Sequence, residues 1–202
     1  MKIVEIDVDC VLLDVYTPVE NYLRERGINF KFADSVRTFG MKETGQLRST
    51  LLHLLTDADM RRQAEWYNGA KSFVRFLSEY CKYHNYALVL NTHERNYAAA
   101  QVKLQKLEEL QMETGACFES NVQCGGRKEM LHSFICVDDC LDNICRSPAE
   151  HPLLFNMCHN TELYNGYRKG IVRVNGYDGV ITAMQAIDAQ NDKIVTRVGV
   201  VV

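Results

Sequence analysis

The 202-residue chain contains only three prolines, no apolar run approaching eighteen residues and no block of arginine and lysine. Without a long apolar run, no membrane-spanning helix is expected. Without a basic block, and with a formal net charge of -3, an extended nucleic-acid backbone is not an expected partner. A small anionic ligand needs only a local positive site, so that class stays open. Internal repeats and low-complexity segments are also lacking, and the length fits one domain with a sizeable insertion. Eight cysteines are present but no C-x-x-C. A chain this large, with 47% hydrophobic residues, can form a core without disulfides or a structural zinc. The opening MKIVEIDVD alternates and carries acids, which reads as a strand and not as a signal-peptide core. A reducing cytoplasmic location is the resulting expectation.

Strand and helix patterns alternate along most of the chain. KIVEIDV predicts a first strand, YALVLNT a central one, and GACFES, EMLHSFICVDD and HPLLFNM three more. Between them, Phe73, Phe76, Leu77, Tyr80, Cys81 and His84 follow helical spacing, as do Ala100, Leu104, Leu107 and Leu110. DGVITAMQAI predicts a late helix, and KIVTRVGVVV an edge strand or a helix-free extension. This alternation predicts an α/β fold with a mostly parallel sheet. Residues 15–70 break the rhythm. They hold helix patterns, including Gln46–Thr56, with Asp57 and Asp59 as caps for another helix start, and no good central strand. The expected organisation is an α/β core of residues 1–14 and 71–202, with a helical cap inserted at 15–70.

Polar residues stand where strands end. Asp7 and Asp9 close the first strand, Thr92 the central one, and Asp138-Asp139 the fourth, with Asp142 shortly after. A carboxylate near a buried strand is costly unless it has partners. In open parallel sheets ligands sit beyond the carboxyl ends of strands, so these residues can converge. Lys128, ahead of the fourth strand, can reach the same place. Taken singly, an acidic pair or a threonine at a strand end is often just a turn or cap residue.

In that order, the motifs DVDCV, LVLNT, GGRKEM and VDDCLDN resemble those of haloacid dehalogenase-like phosphohydrolases. LLFNMCHN and RVNGYDGV extend the resemblance toward the 5'(3')-deoxyribonucleotidase branch, over roughly residues 3 to 182. The resemblance implies a three-layer Rossmann-like core with a small helical cap. It implies Asp7 as nucleophile, Asp9 as general acid/base, and Thr92 and Lys128 as phosphate ligands. His93, next to Thr92, is a further candidate for the phosphate, with a neutral cap or solvent contact as the alternatives. Mg²⁺ would be held by Asp7, Asp9, Asp138 and Asp139, with Asp142 an alternative helper. Cys10 departs from the pattern, because the family usually has glycine there.

The implied activity is Mg²⁺-dependent hydrolysis of a phosphomonoester through an aspartyl-phosphate, with a nucleoside monophosphate as substrate. A phosphatase acting on another small ester or a nucleic-acid end is one alternative; a catalytically silent phosphate-binding module is another. Cap aromatics such as Phe39 and Trp66 are expected to contact a base, although a small helical cap also needs aromatics for its own core. No membrane partner is expected, and a homodimer is compatible with the sequence.

Overall fold

The computed structural model describes residues 1–35, 45–125, 127–160 and 170–198. Strand β1 (Lys2–Ile6) leads through a tight turn into the two-residue strand β2 (Leu13–Asp14). Helices α1 (Thr17–Glu25), α2 (Phe32–Ser35), α3 (Gly45–Leu55) and α4 (Ala58–Gln63) come next, and β3 (Glu65–Trp66) returns antiparallel to β2. The chain then alternates through α5 (Ala70–Tyr83), β4 (Tyr86–Glu94), α6 (Tyr97–Thr114), β5 (Glu119–Cys124) and β6 (Ile135–Asp138). It finishes with α7 (Leu141–Arg146), β7 (His151–Phe155), a single 3-10 turn at Cys158–Asn160, β8 (Val172–Val174) and α8 (Gly176–Val198).

Six strands form one sheet in the order β5-β4-β1-β6-β7-β8, and every pairing in it is parallel. The central strands read as unbroken apolar runs because helices cover both faces. Helix α5 shows how the sequence produces this. Phe73, Val74, Leu77 and Cys81 fall on one face and are buried, and the left-handed Gly69 starts the helix at φ 83°.

The helices between β2 and β3 have an apolar centre of their own. Val19, Leu23, Phe32, Leu51, Leu54 and Met60 cluster there, with Phe30 packed alongside. Asp14 starts α1 by accepting from the backbone of Tyr16 and Thr17, both at 3.0 Å, and Asp57 caps α4 by accepting from Asp59 N and Met60 N. The β2–β3 ladder forms the stem of this helical unit. Trp66 and Tyr67 pack on the large core cluster, not among the helices.

Two elements differ from the sequence expectation. The strand expected at GACFES begins only at Glu119, because Ser78 Oγ binds the backbone N–H of Cys117 at 2.8 Å and its carbonyl at 3.3 Å. Those groups are taken before they can join the ladder. Of the tail expected to be strand or extension, residues 193–198 are helical, with α8 running on to Val198.

Candidate active site

Register brings the strand-end acids together. Ile6 is level with Leu90 on β4 and with Val137 on β6, so the next residues are Asp7, Asn91 and Asp138. The Asp7 N–H donates to Val137 O at 2.8 Å and fixes that alignment. From β1 the chain winds outward through β4 and β5, then returns to wind the other way through β6, β7 and β8. The crevice at this reversal is where open α/β sheets place ligands.

Lys128 bridges the acids. Its Nζ donates to Asp7 Oδ1 and to Asp138 Oδ2, each at 2.7 Å, and all three side chains are buried. Burial pushes the Asp7 carboxyl well above its usual range; Lys128 pulls it down, while Asp138, Asp139 and Asp9 push it up. Asp138 is raised by burial too, against the pull of Lys128. Burial would lower the Lys128 pKa, but the two carboxylates hold it well above the usual lysine value. Asp138 is further fixed by the Cys140 N–H at 2.7 Å and the Asn143 amide at 3.1 Å.

Carboxylate oxygens of Asp7, Asp138 and Asp139 lie within 4.8 Å of one another. Hard divalent cations prefer such an all-oxygen set. One lysine among three buried carboxylates leaves room for added positive charge, so these residues fit a divalent cation. Asp142 sits exposed in the first turn of α7 on the cleft wall, outside this cluster.

Asp9 belongs to a second charged group that sequence reading did not anticipate. Its Oδ2 accepts from Lys103 Nζ at 2.8 Å and faces Arg61 Nη2 at 3.3 Å. Burial alone would raise the Asp9 pKa, but Arg61 and Lys103 hold it below the usual carboxylate value. Asp9 Oδ1 is buried without a hydrogen-bond partner among the described residues. Lys103 also contacts Thr92 Oγ1 at 3.0 Å and Glu94 Oε1 at 2.6 Å, and Arg61 meets the same Glu94 oxygen at 2.6 Å.

A third group holds the loop that carries Lys128. Glu5, fully buried in β1, accepts from the Asn91 amide, from Ser133 Oγ at 3.0 Å and from Leu131 N at 3.3 Å. Burial raises the Glu5 pKa, with Asn91 opposing. Asn91 and Gln123 both donate to the Glu129 carbonyl, at 3.0 and 2.9 Å, one residue beyond Lys128.

The remaining sequence-predicted residues divide. Thr92 is buried on the cleft wall. His93 lines the cleft as well, but its Nε2 lies 3.0 Å from Gly125 O and clips the loop before Lys128. Trp66 is not among the residues lining the cleft and stands at the stem of the helical unit, packed on the large core cluster. Phe39 lies outside the described residues. Cys10 has φ 59°, the left-handed conformation that glycine adopts freely, which accounts for the family's usual residue at that turn.

The cleft over Asp7 has a volume of about 800 Å³ and reaches the helical unit at Leu52, Leu55 and Arg61. Arg95, Arg127 and Arg146 add positive charge to its wall. Tyr16 is the one phenylalanine, tyrosine or tryptophan lining it among the described residues. Its ring stacks on Phe32 with centroids 4.2 Å apart.

No protein-family model and no curated protein matches this chain. Among solved structures, it is similar to a haloacid dehalogenase-like family hydrolase from Streptococcus pneumoniae, with a TM-score of 0.57 and 13% identity. The match covers 91% of this chain and 98% of that one. With the parallel sheet and the helices inserted after its first strand, this likeness shows that the chain shares the fold of that haloacid dehalogenase-like protein.

Proposed function

We propose that the protein is a Mg²⁺-dependent phosphomonoesterase that forms an aspartyl-phosphate on Asp7 and acts on a nucleoside monophosphate. The observation that supports it most is Lys128 held between Asp7 and Asp138 where the winding of the sheet reverses. A phosphate over Asp7 meets the Lys128 ammonium and the Thr92 hydroxyl, which suit its equatorial oxygens. Lys128 also favours the ionised form of Asp7, the form that can attack. Asp7, Asp138 and Asp139 would hold Mg²⁺, which when bound neutralises charge on the phosphate oxygens.

In the first step an Asp7 oxygen bonds to phosphorus as the ester P–O bond breaks. The leaving oxygen takes a proton from Asp9, whose carboxylate Arg61 and Lys103 hold ionised in the free protein and which takes up that proton from solvent once the phosphate's negative charge lies beside it. In the second, Asp9 takes a proton from water, whose oxygen attacks phosphorus and releases inorganic phosphate, restoring Asp7. Asp9 suits both steps because Oδ2 is anchored while Oδ1 has no partner of its own among the described residues.

Cleft volume and chemistry support the nucleotide. About 800 Å³ is ample for a nucleoside monophosphate, and Leu52, Leu55 and Tyr16 give the cleft an apolar edge. Phosphate release from an aryl phosphate and a panel of nucleoside monophosphates, with Mg²⁺ and with chelator, tests the reading. Mg²⁺-dependent turnover that favours nucleotides and vanishes in Asp7→Asn is expected. Turnover of aryl and sugar phosphates but no nucleotide leaves the broader phosphatase. No turnover of any ester overturns the activity.

A further inference from the structure

We infer that the protein carries a second cation site, of softer donors, formed by Cys10, Asp139 and His159 and suited to Zn²⁺. This site does not depend on the phosphatase reading. The thiol sulfur of Cys10, a carboxylate oxygen of Asp139 and an imidazole nitrogen of His159 lie within 4.8 Å of one another, and all three residues are buried. They come from separate parts of the fold: the turn after β1, the end of β6 and the 3-10 turn after β7. No C-x-x-C spacing announces such a site, because chain folding and not local sequence assembles it.

The imidazole is oriented from behind. Its Nδ1 lies 3.1 Å from the Tyr16 hydroxyl, and its Nε2 lies 2.7 Å from Asp139 Oδ2. The Asp139 backbone is held in turn, since the Asn160 amide donates to its carbonyl at 2.8 Å. A histidine with a hydroxyl at Nδ1 and a carboxylate at Nε2, and with the Cys10 thiol in the same buried cluster, matches the outer-shell support of metal-bound imidazoles.

The donor set selects the ion. Sulfur and imidazole nitrogen suit Zn²⁺, whereas Mg²⁺ and Ca²⁺ favour an all-oxygen shell. With metal bonds of about 2.0 to 2.3 Å, tetrahedral ligand atoms lie about 3.3 to 3.6 Å apart. The Asp139–His159 pair must therefore open by about half an ångström as the ion takes the place of protons on the thiol and on Nε2. Three protein ligands leave a fourth position, and Cys10 and Asp139 both line the cleft from which it can be filled.

Asp139 also belongs to the oxygen cluster with Asp7 and Asp138, so the two sites share one carboxylate. The experiment must separate them. The full-length, metal-stripped protein is titrated with Co²⁺, whose thiolate charge-transfer absorption reports a sulfur ligand, and Zn²⁺ is then added to displace it. One equivalent of thiolate-bound Co²⁺ is expected. The band should vanish in Cys10→Ser and His159→Gln and persist in Asp7→Asn, and Tyr16→Phe should weaken binding about tenfold to hundredfold. Should His159→Gln fail to fold, alkylation of the parent read by mass spectrometry decides. Zn²⁺ should protect Cys10 selectively, with the other cysteines as internal controls. Absence of the band in the parent, its survival in Cys10→Ser, or unchanged alkylation of Cys10 under Zn²⁺ overturns the site.

Discussion

Arg61 reaches from the helical unit to within 3.3 Å of Asp9, and so a residue outside the sheet sets the charge of a residue at its heart. Arg61 and Lys103 hold Asp9 ionised against burial. A depressed carboxylate pKa stabilises the fold above its unfolded value of 3.8 and loses that contribution as acid carries the pH below the folded value. Arg61→Gln should therefore flatten the acid limb of the stability profile. It should also lower stability at neutral pH by about 3 kcal/mol, since it removes one partner of a buried ion cluster. The Asp9 limb of the pH–rate profile should move to higher pH. Melts and kcat/KM across pH measure all three, and an unmoved limb would separate Asp9 from the catalytic step.

Asp7 carries the opposite sign. Its folded pKa is raised, so its ionisation costs stability, and that cost is relieved as the pH falls through the raised value. Asp7→Asn keeps the shape without the charge. In metal-free buffer at neutral pH the variant should melt at or above the parent, with the gain shrinking in acid. Turnover should fall by at least about a thousandfold, or about 4 kcal/mol of transition-state stabilisation. A variant that loses stability while keeping a tenth of parental turnover would contradict the nucleophile assignment.

The strands and their polar ends were legible because both rest on short-range pattern: β-type apolar runs closing on Asp7, Thr92 and Asp138. Lys103 and Arg61 were not, because what makes them matter is a partner far along the chain. A trace of Lys103 was present. It is spaced with Ala99, Leu107 and Leu110 on the buried stripe of α6, where the apolar reading favoured Leu104, and the structure buries the lysine while leaving Leu104 partly exposed. A lysine on a buried stripe implies an acid beneath it, and here Asp9 and Glu94 are those acids. Trp66 stands at a stem and not on the cleft wall, a distinction that aromatic content alone does not make. The late start of β5 comes from one serine, Ser78, on a distant helix.

Cys10 tests the turn after β1. Glycine there removes a strain of about 1–2 kcal/mol but gives up a buried thiol and gains freedom in the unfolded chain. Opposed terms of similar size should leave metal-free Cys10→Gly within about 1 kcal/mol of the parent. Cys10→Val, with a branched carbon in the left-handed region, should lose more than about 2 kcal/mol. Denaturant melts decide, and a valine variant as stable as the glycine one would refute the strain.

Asn91 should act through Lys128. Its amide ties Glu5 to the Glu129 carbonyl, and its own carbonyl accepts from Asn121 at 3.0 Å and Gln123 at 2.9 Å. Asn91→Ala leaves buried groups unpaired, at about 1–3 kcal/mol. It should lower kcat/KM in a Lys128-containing enzyme yet add little loss in a Lys128→Met background. A double-mutant cycle measures the difference. Full additivity would make Asn91 a packing residue with no hold on the lysine.

On the nucleotidase reading, Tyr16 is the residue placed to choose the substrate. It is the one phenylalanine, tyrosine or tryptophan lining the cleft among the described residues, and its ring is backed by Phe32 at 4.2 Å. A base resting on it would hold the phosphate over Asp7, so binding energy gained far from phosphorus would keep the reacting groups in register. Losing a stacking contact of about 1–3 kcal/mol corresponds to a fall of roughly fivefold to a hundredfold in efficiency. Tyr16→Leu should show that fall for nucleoside monophosphates and little change for a small aryl phosphate. Tyr16 also touches His159, so Tyr16→Phe is the control for the hydroxyl alone: it keeps the ring and should keep nucleotide preference. Trp66→Leu, at the stem, should lower the melting temperature and reduce both substrates alike. Equal losses on both substrates in Tyr16→Leu, with a melt matching the parent's, would take the base away from this wall of the cleft.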